Sequence, residues 1–158
     1  LNQKFWLCAS FVFVFGYLVE VVGVATGAIF GFYNYGETLG FKLANVPLMM
    51  GVNWFLLIFA IGAVLKKYFK HQRILKSLIG AAILVTIDVL MEPIAVKFDY
   101  WSWQDSFIPL KNYIAWFIIS AIFLRIYYEL DFRKTNPVAL TMLLSQFLFF
   151  LGLNLTVL

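Results

Sequence analysis

Five apolar stretches, at about 5–31, 46–65, 74–96, 113–129 and 138–158, take up most of the chain. Each approaches the roughly 20 residues that a helix needs to cross the hydrocarbon core of a bilayer. That pattern predicts an all-α fold, a polytopic transmembrane helical bundle of about five spans, with residues 1–158 as a single integral membrane domain. The composition agrees: 63% of residues are hydrophobic, 13% are charged and the mean hydropathy is +0.90, far from a soluble domain. Short polar segments alone separate the runs, so any chemistry is expected inside the membrane unit. Residues 5–31 do not read as a cleaved signal, because the run is too long for one and contains Glu20. The first residue is Leu1 rather than Met, so a fragment or processed form lacking an N-terminal span is one expectation. The lone Cys8 excludes an intrachain disulfide, and with the single His71 it leaves no ligand set for zinc, haem or an iron–sulfur cluster. No protein-bound metal is expected.

Charge sets the orientation. The segment between spans two and three carries Lys66, Lys67, Lys70, Arg73 and Lys76, which the positive-inside rule places in the cytoplasm. Lys4, Arg125, Arg133 and Lys134 then fall on the same side, against Lys42, Lys97 and Lys111 outside. The N-terminus is therefore expected inside and the C-terminus outside. The net charge of +4 follows from this topology and from anionic lipid, without any nucleic acid partner.

Gly16, Glu20, Gly23, Gly27 and Gly31 recur at steps of three and four, so span one is expected to present them on one face for close helix packing. Cys8 is expected to face lipid and His71 to sit in a loop. Ser145, Gln146 and Asn154 of the last span are expected to bond to neighbouring helices. The glycosylation-like tripeptide at Asn154 lies within an apolar run and reads as chance.

Three acids interrupt this apolar pattern: Glu20, Asp88 and Glu92. A charged side chain costs roughly 2.5–3.5 kcal/mol at the centre of a span, so such residues face protein or water rather than lipid. Asp88 and Glu92 are four apart and share a helix face, separated by about 6 Å of rise. Pro93 cannot donate to the carbonyl of Val89, which predicts a kinked or locally opened turn beside Glu92. Counting from the external ends puts Asp88 about 12 Å deep, Glu92 about 6 Å and Asn53 about 10 Å, with Glu20 somewhat deeper. No basic residue shares that depth. Two carboxyls so close in low dielectric do not both ionise, so one is expected as a neutral acid beside a carboxylate, a proton donor and acceptor pair. The plainer alternative has Glu92 reaching Lys97 or Lys111 at the interface and Asp88 bonding to a neighbouring helix. The external loops are aromatic, "FGFYNYGETLGF" and "FDYWSWQDSFIPLKNYIAW". Such rings serve as interface anchors, but Trp101 and Trp103 lie near the acids, where ring faces can also flank a cation.

Taken in order, "EVVGVATGAIFGFYNYGETLG", "VPLMMGVNW", "DVLMEPIAV", "WSW" and "IPLKNYIAW" resemble the carotenoid 1,2-hydratase family over roughly residues 20–116. The resemblance implies a membrane enzyme, a hydro-lyase of carotenoid biosynthesis, that adds water to the terminal 1,2 double bond of an acyclic carotenoid end group. Substrates of the lycopene, γ-carotene or bisanhydrobacterioruberin type, a prokaryotic cell membrane and contacts with other pathway enzymes follow as expectations. The chemistry needs an acid to protonate C2, a setting that tolerates a tertiary cation at C1, and a positioned water; it needs no cofactor. Asp88 or Glu92 would protonate, the other would orient water, and Glu20 with Asn53 would complete the water site. Trp54, Trp101 and Trp103 would flank the cation, with Tyr33, Tyr35 and Asn112 also on the substrate side.

Three rivals share these residues. A lycopene-type cyclase would use the same acid and trap the cation with an internal double bond. A proton-coupled carrier would relay protons through the acids. A non-catalytic assembly subunit would use them for structure alone.

Overall fold

The computed structural model describes residues 2–69, 72–104 and 106–157, and His71 lies outside them. Five helices form the body: α1 Gln3–Thr26, α2 Met49–Tyr68, α3 Arg73–Lys97, α4 Leu110–Glu129 and α5 Ala139–Thr156. All five are long and apolar enough to cross a membrane, so this is an integral membrane protein. They alternate in direction. Arg73 of α3 pairs with Glu129 at the end of α4, and Asn2 before α1 donates to the Asp131 carbonyl, so the basic termini gather at one end. At the other end Lys97 donates to the Val157 carbonyl and Lys111 to the Gly27 carbonyl at 2.7 Å. α3 packs along α4, α1 along α2, and α5 lies against α2 and α3.

Span one is shorter than the apolar run suggests. Gly27 adopts φ 63°, and its N–H bonds to the Gly23 carbonyl, so the helix stops at Thr26 in a left-handed cap. The five-residue stripe is thus corrected: Gly16, Glu20 and Gly23 share the packed face, whereas Gly27 and Gly31 lie in the connection beyond it. That connection folds back, and Phe30 fills the notch at Gly23, where a Cβ would sit 2.7 Å from the ring. The notches at Gly16 and Gly62 likewise receive aromatic rings, Trp54 and Tyr127, rather than a neighbouring helix backbone. Cys8 corrects a second expectation. It is 3% exposed, because it lies on the same face as Phe5, Val12 and Gly16, and a thiol behaves there as a small apolar group.

α3 continues as helix on both sides of Pro93, so the turn expected to open does not become a loop. Asn154 of α5 donates to the Leu90 carbonyl in that turn at 2.7 Å, the cross-helix bond its position predicts. Among the described residues Ser145 and Gln146 make no such bond.

The connections at the acid-bearing end contain four short strands: β1 Tyr33–Tyr35, β2 Lys42–Leu43, β3 Val46–Pro47 and β4 Trp101–Trp103. β2 and β3 form a hairpin turned by Ala44 and Asn45, both at positive φ, and Tyr17 of α1 clamps it by donating to the Leu43 and Val46 carbonyls. β1 pairs antiparallel with β4 in the register Tyr33 to Trp103 and Tyr35 to Trp101. Side chains alternate across a strand, so these four rings turn inward together and Asn34 and Ser102 turn out.

At Gly16 a Cβ would lie 2.7 Å from Trp54 Cγ, whereas at Gly152 it would meet nothing within 4 Å. Gly16→Ala should therefore cost about 1–3 kcal/mol through overpacking, and Gly152→Ala should be neutral or slightly stabilising. Thermal unfolding of the detergent-purified protein measures both; equal effects would contradict this packing.

Candidate active site

The three acids converge. Glu20 from α1 and Asp88 and Glu92 from α3 line one cavity of about 20 Å³ at the end of the bundle away from the basic loops, all nearly inaccessible. Phe30, Tyr33, Tyr35, Met50, Trp101, Trp103, Asn112 and Trp116 complete the wall. That volume is room for about one water molecule.

Glu20 is saturated with donors. Tyr33 and Tyr35 give their hydroxyl protons to its Oε2 at 2.6 and 2.8 Å, and the Trp54 indole N–H reaches Oε1 at 2.9 Å. Burial, followed by the Glu20 carboxylate, pushes both tyrosine hydroxyls well above the ordinary phenol range, so both remain donors. Glu92 is held the same way. The Trp101 and Trp103 indoles donate to Oε2 at 3.0 and 2.9 Å, and the Asn112 amide reaches Oε1 at 3.3 Å. The N–H groups at both Glu92 oxygens can only donate, which favours a carboxylate there.

Asp88 differs. Asn112 donates to its Oδ2 at 3.1 Å, but its Oδ1 is buried with no hydrogen-bond partner among the described residues. Asn112 thereby bridges Asp88 and Glu92 through one NH₂ group. None of the three acids makes an ion pair among the described residues. The expected alternative of Glu92 pairing with Lys97 or Lys111 is not what the structure holds, because both lysines bond to backbone carbonyls instead.

Of the residues singled out in the sequence, Tyr33, Tyr35, Trp101, Trp103 and Asn112 lie in the cavity wall with the acids, and Trp54 joins them through Glu20. Asn53 does not. It is half-buried and absent from the wall, since a helix turns about 100° per residue and Trp54 takes the inward direction. Met50, one turn before Trp54, faces the cavity in its place. The indoles also act differently from the ring-face role anticipated for them: their N–H edges are engaged by carboxyl oxygens. Trp116, unanticipated, stacks on Trp54 with ring centres 4.2 Å apart at 16° and lines the cavity. Its spacing of four from Asn112 puts both on one face of α4, a signal present in the sequence.

Buried acids, a bridging amide and a water-sized void make a unit able to hold and exchange a proton in an apolar setting. Comparison with known proteins gives this unit a context. A Bisanhydrobacterioruberin hydratase from Haloarcula japonica is 27% identical over 116 residues, covering 69% of this chain. The chain spans about 40% of the length of that relative. No solved structure matches at a significant level. The family described as carotenoid biosynthesis protein matches residues 1–158, and with the whole length taken in by that match, the chain belongs to the carotenoid biosynthesis protein family.

Proposed function

We propose that the protein is a carotenoid hydratase, adding water to the terminal 1,2 double bond of an acyclic carotenoid end group by acid protonation and capture of a tertiary cation. The observation that carries this reading is Asp88, an acid in the wall of a void the size of one water, whose buried Oδ1 has no hydrogen-bond partner among the described residues. Glu20 and Glu92 receive donors at both oxygens, so of the three acids Asp88 is the one whose proton is not opposed by its neighbours' hydrogen bonds.

In this mechanism Asp88 transfers its proton to C2, and the π electrons of the 1,2 bond form the new C–H bond. The positive charge at C1 develops next to the Glu20 and Glu92 carboxylates, which the aromatic and amide donors hold in place before the reaction begins. Water attacks C1, and the proton it releases returns to the carboxyl pair bridged by Asn112, restoring the Asp88 acid. Atoms balance as alkene plus water giving a tertiary alcohol. The void accommodates the water but not the end group, so binding the end group requires the wall of the cavity to open. The membrane helices and the relative's name both support a polyene substrate delivered from lipid.

Incubation of membranes containing the protein with lycopene in ¹⁸O-labelled water tests the reaction. The expected product carries the label in a tertiary alcohol; an unlabelled isomer of lycopene would instead identify a cyclase. Asp88→Asn keeps the shape of the side chain and should lower turnover by about 10²–10⁴-fold, the range for a general acid. Undiminished turnover in a folded Asp88→Asn protein would exclude the assigned role.

Tyr33→Phe and Tyr35→Phe each remove one of two donors to the same Glu20 oxygen. Each alone should reduce turnover modestly, about tenfold or less, and the double variant should lose more than the product of the two, because it leaves that oxygen without any donor. Strictly multiplicative losses would indicate that the tyrosines act independently of Glu20.

A further inference from the structure

At the end of the bundle remote from the acids, the α4–α5 connection crosses the last turn of α2 and leaves a cavity of about 690 Å³. Lys66, Lys67, Arg133 and Lys134 line it, and among the described residues no carboxylate does. Its size falls in the range of pockets that hold ligands of many atoms. Ala63, Val64 and Leu140 form its apolar wall, and exposed Leu144, one turn on from Leu140, continues that wall along the outer face of α5.

Lys134 is the unusual member. It is only 8% exposed, its Nζ donates to the Leu130 carbonyl and lies 4.4 Å from the centre of the Phe132 ring. Among the described residues none of the four cations makes an ion pair. Asp131 is exposed and forms no ion pair with Lys134. Burial, and next Lys66, lower the pKa of the Lys134 ammonium, and the attraction of Asp131 offsets this only in part. Lys76, buried nearby on α3 with its Nζ 4.3 Å from the Tyr128 ring centre, adds a fifth cation without a carboxylate partner among the described residues. A buried ammonium is costly unless paired, and four like charges around one cavity repel; an anion seated among them removes both penalties. The apolar wall below the cations calls for a chain attached to that anion.

We propose that this cavity binds the phosphate group of an anionic amphiphile, with Lys66, Arg133 and Lys134 around the head group and the chain laid along Val64, Leu140 and Leu144. Basic pockets between spans recognise lipid head groups by this charge pattern. The site is separate from the acid cluster, and its occupancy does not depend on the reaction proposed above.

Fluorescent phosphatidylglycerol titrated against the full chain in maltoside micelles, followed by anisotropy, tests the proposal. Unlabelled phosphatidylglycerol should compete, whereas phosphatidylcholine and inorganic phosphate at the same concentration should not. Lys66→Gln with Arg133→Gln, both at exposed positions, should weaken binding about thirtyfold. Lys42→Gln with Lys97→Gln, the same change in charge at the opposite end, should leave it unaltered. Equal competition by phosphatidylcholine would show simple apolar partitioning, and equal competition by phosphate would show a free-anion site. Either result, or equal losses in the two double variants, overturns the proposal.

Discussion

A carboxyl group buried in an apolar bundle must find hydrogen-bond donors, and the architecture at one end of this protein follows from that requirement. Glu20 on α1 draws in Tyr33, Tyr35 and Trp54, while Glu92 on α3 draws in Trp101, Trp103 and Asn112. These donors come from β1, α2, β4 and α4, so two side chains tie together most of that end of the molecule. Hydrogen bonds to charged groups contribute about 1.5–3 kcal/mol each, and leaving such a group unsatisfied costs more. The β1–β4 pair is three residues long on each side, too short to persist alone in water. Its inward rings are held to the helices by the acids they serve. The site and the local fold are therefore one structure, and substitutions of the acids act on both.

The donors are also selective. Every partner of Glu92 is an N–H, which suits a carboxylate and disfavours a neutral acid there, and Glu20 collects three donors of its own. Asp88 accepts one hydrogen bond from Asn112, and its other oxygen is buried without a hydrogen-bond partner among the described residues. Three acids of similar chemistry and burial are thus distinguished by what surrounds them. This asymmetry is the physical basis on which Asp88 is proposed as the proton donor and the other two acids as the carboxylates beside a developing cation.

Much of the helical plan is legible in the amino-acid sequence because apolar length alone specifies a span, and the observed helices fall within a few residues of the apolar runs except at the end of span one. There a left-handed glycine outranks hydropathy: Phe30 and Gly31 are apolar or small, yet Gly27 ends the helix and returns the chain onto it. The convergence of Glu20, Asp88 and Glu92 is legible from cost, since no lipid-facing position tolerates them. The donors are less so. Tyr33 with Tyr35 and Trp101 with Trp103 show a period of two that marks strands, but their pairing joins segments some 70 residues apart in the chain, and no local pattern reports such a contact. Asn53 illustrates the reverse failure. Depth counting along an axis places it level with the acids, but depth carries no rotation, and the inward direction belongs to Trp54. Cys8 shows the same limit, since its burial follows from the face it shares with Gly16 rather than from its own polarity.

The central claim is that Asp88 alone among the three acids holds the exchangeable proton. Infrared difference spectroscopy between light and heavy water reads this directly, because only a protonated carboxyl shows the high-frequency carbonyl band. The account predicts a band in the unsubstituted protein that persists in Glu20→Gln and Glu92→Gln and disappears in Asp88→Asn. A band that survives Asp88→Asn and vanishes in either glutamate variant would contradict it.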